Sequence, residues 1–182
     1  MSTKRNVIIG LVTIATFIGC GLMASAFAPQ TPPQKVDYDG FLGLTGEIAD
    51  YRENRLVDLE AFNEMKSAQD TIILDTRSAE AFAMGHIDGA IHLNFSDFTD
   101  DKLASVIPSK DTRILIYCNN NFSDNIAPVM VKRVELALNV PTFINLYGYG
   151  YENIYELGET VSITDPDVNW EGTGFALTLQ EN

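Results

Sequence analysis

The sequence predicts an α/β domain of three layers, a central and mostly parallel sheet flanked by helices. Two observations carry this. The runs Ile72–Leu74, Arg113–Tyr117 and Pro141–Leu146 are rich in β-branched, aliphatic or aromatic residues with little polar alternation, as in strands buried on both faces. Between and around them lie segments that open on Asp, Ser or Thr and carry apolar residues at helical spacing. Strands alternating with helices imply parallel crossovers, and ligand sites in such sheets lie beyond the carboxyl ends of the strands.

Residues 1–28 read as a targeting segment. Lys4 and Arg5 precede an apolar run from Val7 to Phe27 that closes on small residues, Ala24-Ser25-Ala26 and Ala26-Phe27-Ala28. This predicts a bacterial secretory signal cut after Ala26 or Ala28. Two alternatives stay open: an uncleaved membrane anchor, since the run is long enough to span, and acylation at Cys20 as a lipoprotein. The protein is expected in the periplasm or otherwise exported, free or tethered. Residues 29–50 read as a linker and irregular N-terminal extension, with Pro29, Pro32 and Pro33 at its start. The domain proper is expected over residues 51–160 and a tail without clear period over 161–182.

Within the domain, Asp58 caps a predicted helix Leu59–Lys66 with Leu59, Phe62 and Met65 on one face. Ile72–Leu74 forms a strand ending at Asp75. Ser78 caps the next helix, Ala79–Met84, which Gly85 ends. His86–Leu93 makes a turn into another short strand. Thr99 caps a helix from Asp100 to Ile107, whose acids suit its N-terminus, and Pro108 stops it. Arg113–Tyr117 is a buried strand that delivers Cys118 to a polar loop. A helix carrying Val129, Val131, Val134, Leu136 and Leu138 is expected after that loop, capped by Asn125 so that Pro128, which lacks an N–H, falls among its first positions. Pro141–Leu146 is read as a strand, and Tyr147–Tyr151 as an aromatic turn into a short helix ending at Gly158.

Cys118 is the candidate reactive group. At a strand-to-helix hinge a thiolate meets free backbone N–H groups and the positive end of the helix dipole, which lowers its pKa. A cysteine at the end of a core strand is also a small inert hydrophobe. Once residues 1–28 are removed Cys118 is the sole thiol, so no intramolecular disulfide can form; a lone thiol in an oxidising compartment marks reactivity or mixed-disulfide pairing. The net charge of −13, with no basic patch beyond the doublet Lys132-Arg133, excludes nucleic acid as the expected partner. Two histidines and one mature cysteine lack metal-ligand spacing, so neither metal nor other cofactor is expected.

The stretch Ile73 to Ala90 resembles a rhodanese domain. The family carries Asp-x-Arg, then Glu, an aromatic and Gly-His-Ile-x-Gly-Ala, and Asp75, Arg77, Glu80, Phe82, Gly85, His86, Ile87, Gly89 and Ala90 occupy those positions in order. The resemblance continues through Tyr117-Cys118 to about Gly158. It implies a small α/β domain whose cysteine accepts sulfane sulfur from a donor such as thiosulfate and passes it to a nucleophile. It also implies Cys118 as the catalytic residue and a substrate-binding loop of Asn119, Asn120, Asn121, Phe122 and Ser123.

One departure bears on activity. The active family loop places an arginine five residues after the cysteine, and this chain has Ser123 there, in a loop from Cys118 to Asp124 without a cation. Losing a charge-assisted hydrogen bond to an anion costs about 1.5 to 3 kcal/mol, roughly ten- to a hundred-fold. Donors left to hold the anion are backbone N–H groups and the side chains of Asn119, Asn120, Asn121 and Ser123. Asp124, were it turned inward, would raise the thiol pKa and repel the donor. Asp75 and Arg77 read as a buried scaffold pair, with direct support of Cys118 as the alternative, because buried charges are normally paired. His86 and His92 read as structural, while Phe122, Tyr147, Tyr149 and Tyr151 either wall the pocket or cover the core. Two functions follow: a sulfurtransferase carrying a persulfide on Cys118, its partner a small sulfur-containing anion or a protein thiol, or a binding module of the same fold without turnover.

Overall fold

The computed structural model describes residues 35–172; the predicted signal or anchor over 1–28, Cys20 and the proline-bearing start of the linker lie outside the described residues. Within them the chain runs α1 (Tyr38–Glu53), β1 (Leu56–Val57), α2 (Leu59–Lys66), β2 (Thr71–Asp75), α3 (Ala79–Met84), β3 (His86–Ile87), β4 (Ala90–His92), α4 (Asp100–Val106), β5 (Arg113–Tyr117), α5 (Asn139–Gly148), β6 (Ile154–Leu157) and β7 (Trp170–Glu171).

The main sheet has five strands in the order β1-β6-β5-β2-β4, all paired in parallel, with β5 at its centre between β6 and β2. Side chains of β5 divide between two apolar layers. Ile114 and Ile116 face a core made with Ile48, Leu103, Phe143, Ile144 and Leu146, from α1, α4 and α5. Leu115 and Tyr117 face a second core with Phe62 of α2 and with Ile87, Phe122, Ile163 and Val168. Both faces of the sheet are covered, which accounts for apolar runs in place of alternation.

The caps read from sequence are present: Asp58, Ser78 and Thr99 accept hydrogen bonds from the N–H groups of Ala61, Ala81 and Lys102, and start α2, α3 and α4.

Four elements differ from expectation. Most of the segment read as an irregular extension is helix α1, capped by Asp37 and anchored by Ile48 in the core and by Tyr51, whose ring meets Phe143 edge-on at 6.3 Å. No helix starts at Asn125; from Phe122 to Leu138 the chain is an irregular excursion with one 3-10 turn at Val134–Leu136. Its valines and leucines recur every two or three residues, which makes no helical stripe. The segment read as a strand, Pro141–Leu146, lies inside α5, where Pro141 occupies the first turn and its missing N–H costs nothing. Finally, Ile154–Leu157 is strand β6 rather than helix. Of the expected tail, residues 161–172 pack on the domain, with Ile163 and Val168 buried and β7 paired antiparallel with β3, while residues 173–182 lie outside the described residues.

Candidate active site

The carboxyl ends of β2 and β5 lie side by side, with Asp75 opposite Tyr117 in the register. The two chains leaving these strands bring Thr76-Arg77-Ser78 and Cys118-Asn119-Asn120 to the rim of one cavity of about 340 Å³, which Asn94-Phe95-Ser96, Lys132 and Leu138 complete.

The wall on the β2 side is a fixed ionic frame. Asp75 and Arg77 are buried, and the Arg77 guanidinium forks onto the carboxylate through Nη2 at 2.6 Å and Nε at 3.0 Å. Tyr117 donates to the same carboxylate at 2.6 Å and accepts the Ile87 N–H, so burial and the Asp75 charge hold its phenol protonated well above the usual range. Arg77 Nη2 also donates to the Gly85 carbonyl at 2.7 Å. Desolvation pulls the guanidinium down, but Asp75 outweighs it and the net shift is upward. Arg77 reaches the cysteine loop only through Nη1, 3.5 Å from Asn119 Oδ1.

Cys118 follows β5 with only 1% of its surface exposed. Burial pushes its thiol above the ordinary value; backbone N–H groups of Asn139, Asn120 and Leu138 oppose this, and the Glu156 carboxylate adds to the rise. A helix N-terminus lies at the sulfur, as the sequence predicts, but it is that of α5. The expected depression of the pKa is reversed because burial outweighs those donors.

The asparagines after the cysteine also differ from their expected role as free donors. A 3-10 turn at Asn119–Asn121 leaves all three side-chain amides bonded to other parts of the chain, with Asn121 the buried one. Asn121 Oδ1 accepts the Cys118 N–H at 2.9 Å and its Nδ2 donates to the Leu157 carbonyl at 2.6 Å. Asn139 Nδ2 joins Asn121 Oδ1 to Glu156 Oε1, and Glu156 is held in turn by Arg52 at 2.7 Å. Asn119 and Asn120 bond to residues 130 and 132. Phe122 is buried against Tyr117 and Trp170, and Ser123 bonds to the Val161 carbonyl; neither lines the cavity. Asp124 accepts from Ser162 Oγ and the Ile163 N–H, both at 2.9 Å, so its carboxylate is committed away from the thiol.

The other candidates are also engaged elsewhere. His86 stacks on Phe82 with Nδ1 on the Phe82 carbonyl, and His92 Nε2 meets the Arg77 carbonyl. Tyr147 and Tyr149 pack on the α1 and α4 side and Tyr151 is buried there, none of them at the cavity. No cluster of metal-ligating side chains occurs among the described residues. Lys132 lines the cavity together with Thr76, Ser78, Asn94, Phe95, Ser96 and Leu138, none of which the sequence marks as a site residue: Lys132 belongs to the doublet Lys132-Arg133, and no spacing signal ties it to Cys118.

The profile of the Rhodanese-like domain family matches residues 58–158. A tRNA uridine(34) hydroxylase of Bradyrhizobium diazoefficiens is 38% identical over 65 residues, which are 34% of this chain and 26% of that protein, so the match spans about a quarter of the relative's length. Two crystal structures are similar to parts of the chain: a Bacillus halodurans protein at 21% identity, covering 71% of this chain and 86% of that one, and an Anabaena protein at 19%, covering 69% and 89%, each with a TM-score of 0.44.

Proposed function

The chain belongs to the rhodanese-like domain family, and so to the sulfurtransferase superfamily, and from that premise we propose that it carries sulfane sulfur as a persulfide on Cys118. The observation that supports this best is the placement of Cys118 at the carboxyl end of a central strand, on the rim of a cavity, with the N-terminus of α5 behind the sulfur. The Cys118 thiolate attacks the outer sulfur of a thiosulfate-like donor. The donor's S–S bond breaks, sulfite leaves with the bonding pair, and the outer sulfur stays on Cys118 as an anionic persulfide. A thiolate or other nucleophile then takes that sulfur and Cys118 leaves as thiolate. Backbone N–H groups of Leu138, Asn139 and Asn120 stabilise the anionic sulfur in both states.

A second reading, a binding module without turnover, draws on the burial of the thiol and its raised pKa. Formation of thiocyanate from thiosulfate and cyanide, compared between wild type and Cys118→Ser, separates the two. Turnover lost in Cys118→Ser supports the enzyme; equal background rates in both leave the module. The hydroxylase activity named for the Bradyrhizobium relative concerns a protein of which this chain spans a quarter, and the charge of −13 opposes binding of an RNA. Export is part of the proposal and draws on Lys4-Arg5 and the apolar run that follows.

A further inference from the structure

The excursion between Phe122 and Leu138 is tied back onto the turn that follows Cys118. Asn119 Nδ2 donates to the Met130 carbonyl at 2.9 Å. Asn120 donates to the Lys132 carbonyl at 2.8 Å and accepts the Lys132 N–H at 3.0 Å. Asn125 Oδ1 accepts the Val131 N–H at 3.0 Å. Four hydrogen bonds thus fix residues 130–132 as a strap beside the cysteine, and the strap brings Lys132 into the cavity rim.

The electrostatics of that rim single Lys132 out. The other cation there, Arg77, has its guanidinium committed to Asp75 and to the Gly85 carbonyl. Arg133 is paired with Glu135. Lys132 is exposed, and among the described residues no carboxylate is paired with its ammonium. In a chain with twice as many acids as bases an unpaired cation beside a small cavity makes a local site for negative charge.

We propose that Lys132 is the specificity-determining cation of the Cys118 cavity, the group that meets the negative charge of a thiosulfate-like donor there. This rests on the persulfide reading for its substrate class. The position five residues after the cysteine is Ser123, which bonds to Val161 and does not line the cavity. The excursion supplies the positive charge from a different place in the chain. Lysine contributes a compact, hydrated point charge with rotatable donors, suited to a small anion without bidentate geometry.

The test is calorimetric titration of thiosulfate into the full chain carrying Cys118→Ser, which cannot form the persulfide, with Lys132→Ala or Lys132→Arg added. Lys132→Ala should weaken binding roughly ten- to a hundred-fold, as expected for loss of one charge-assisted contact. Lys132→Arg should restore it to within about three-fold, and added chloride should weaken binding to the lysine protein more than to the alanine variant. Equal affinity in the alanine variant overturns the proposal, as does an arginine variant no better than alanine. Absence of thiosulfate binding while Lys132 is present overturns it too. Binding that depends on Lys132 in a wild-type protein without cyanide-dependent turnover sinks the sulfurtransferase reading and leaves the anion site standing.

Discussion

Asn120 and Lys132 pair through both ends of one side-chain amide, Nδ2 to the Lys132 carbonyl at 2.8 Å and Oδ1 from the Lys132 N–H at 3.0 Å. Asn120 thus gives Lys132 the two bonds that a neighbouring strand would give it. Asn120→Ala should remove this clamp at a cost to the fold of about 1 to 3 kcal/mol, since two net bonds of about 0.5 to 1.5 kcal/mol each are lost. The Lys132 amide should then exchange with solvent faster, and trypsin should cut after Lys132 and Arg133 more readily, with the melting temperature lowered by several degrees and the fold retained. Unchanged exchange at Lys132 would show that the strap holds without its asparagine.

The Asp75–Arg77 pair is buried and shared with Tyr117, so removing one member strands the others. Asp75→Ala leaves a buried guanidinium without its carboxylate and should destabilise the domain by about 3 to 5 kcal/mol. Urea denaturation reads this directly. A loss under about 1 kcal/mol would place the pair outside the scaffold.

Gly85 is extended, and its lack of a side chain serves packing. A Cβ there would lie 2.5 Å from Trp170 Nε1 and within 2.8 Å of two further ring atoms. Gly85→Ala should therefore push Trp170 away and loosen the pairing of β3 with β7, at a cost of about 1 to 3 kcal/mol. The chain has a single tryptophan, so its emission reports the displacement without ambiguity. An emission spectrum identical to wild type would refute the clash.

Burial holds the Cys118 thiol above its ordinary pKa, so the folded state keeps the proton to higher pH than the unfolded one. The sign follows: the thiol's contribution to stability is complete below the unfolded pKa and is lost as pH rises through the folded pKa. Alkylation of folded protein by iodoacetamide should rise with pH around a midpoint above that of the same protein in urea. A folded midpoint at or below the unfolded one would contradict the balance between burial and the backbone donors.

What the sequence disclosed, and what it hid, follows from the range of the interactions involved. The caps Asp58, Ser78 and Thr99, the buried strand ending at Cys118, and the Asp75 to Ala90 motif were legible because each is local or matches a family pattern. Helix α1 was obscured by Gly40, Gly43 and Gly46, and its place is set by packing of Ile48 and Tyr51 on distant elements. Pro141–Leu146 read as a strand because a short apolar run carries no decisive period; only with Val140 and Tyr147 included do Val140, Phe143, Ile144 and Tyr147 form a helical stripe. Pro128 suits a helix start by its missing N–H, but it is Pro141 that fills this role, in the first turn of α5. The strap was invisible for a different reason: it is held by asparagine side chains bonding backbone eleven or twelve residues away, which leaves no periodic trace.

Whether Cys118 carries transferable sulfur is read from the intact mass of the purified full chain after incubation with thiosulfate. Wild type should gain the mass of one sulfur atom, lose it on addition of cyanide or a thiol reductant, and Cys118→Ser should gain nothing. A wild-type mass unchanged by thiosulfate, or the same gain in Cys118→Ser, would contradict it.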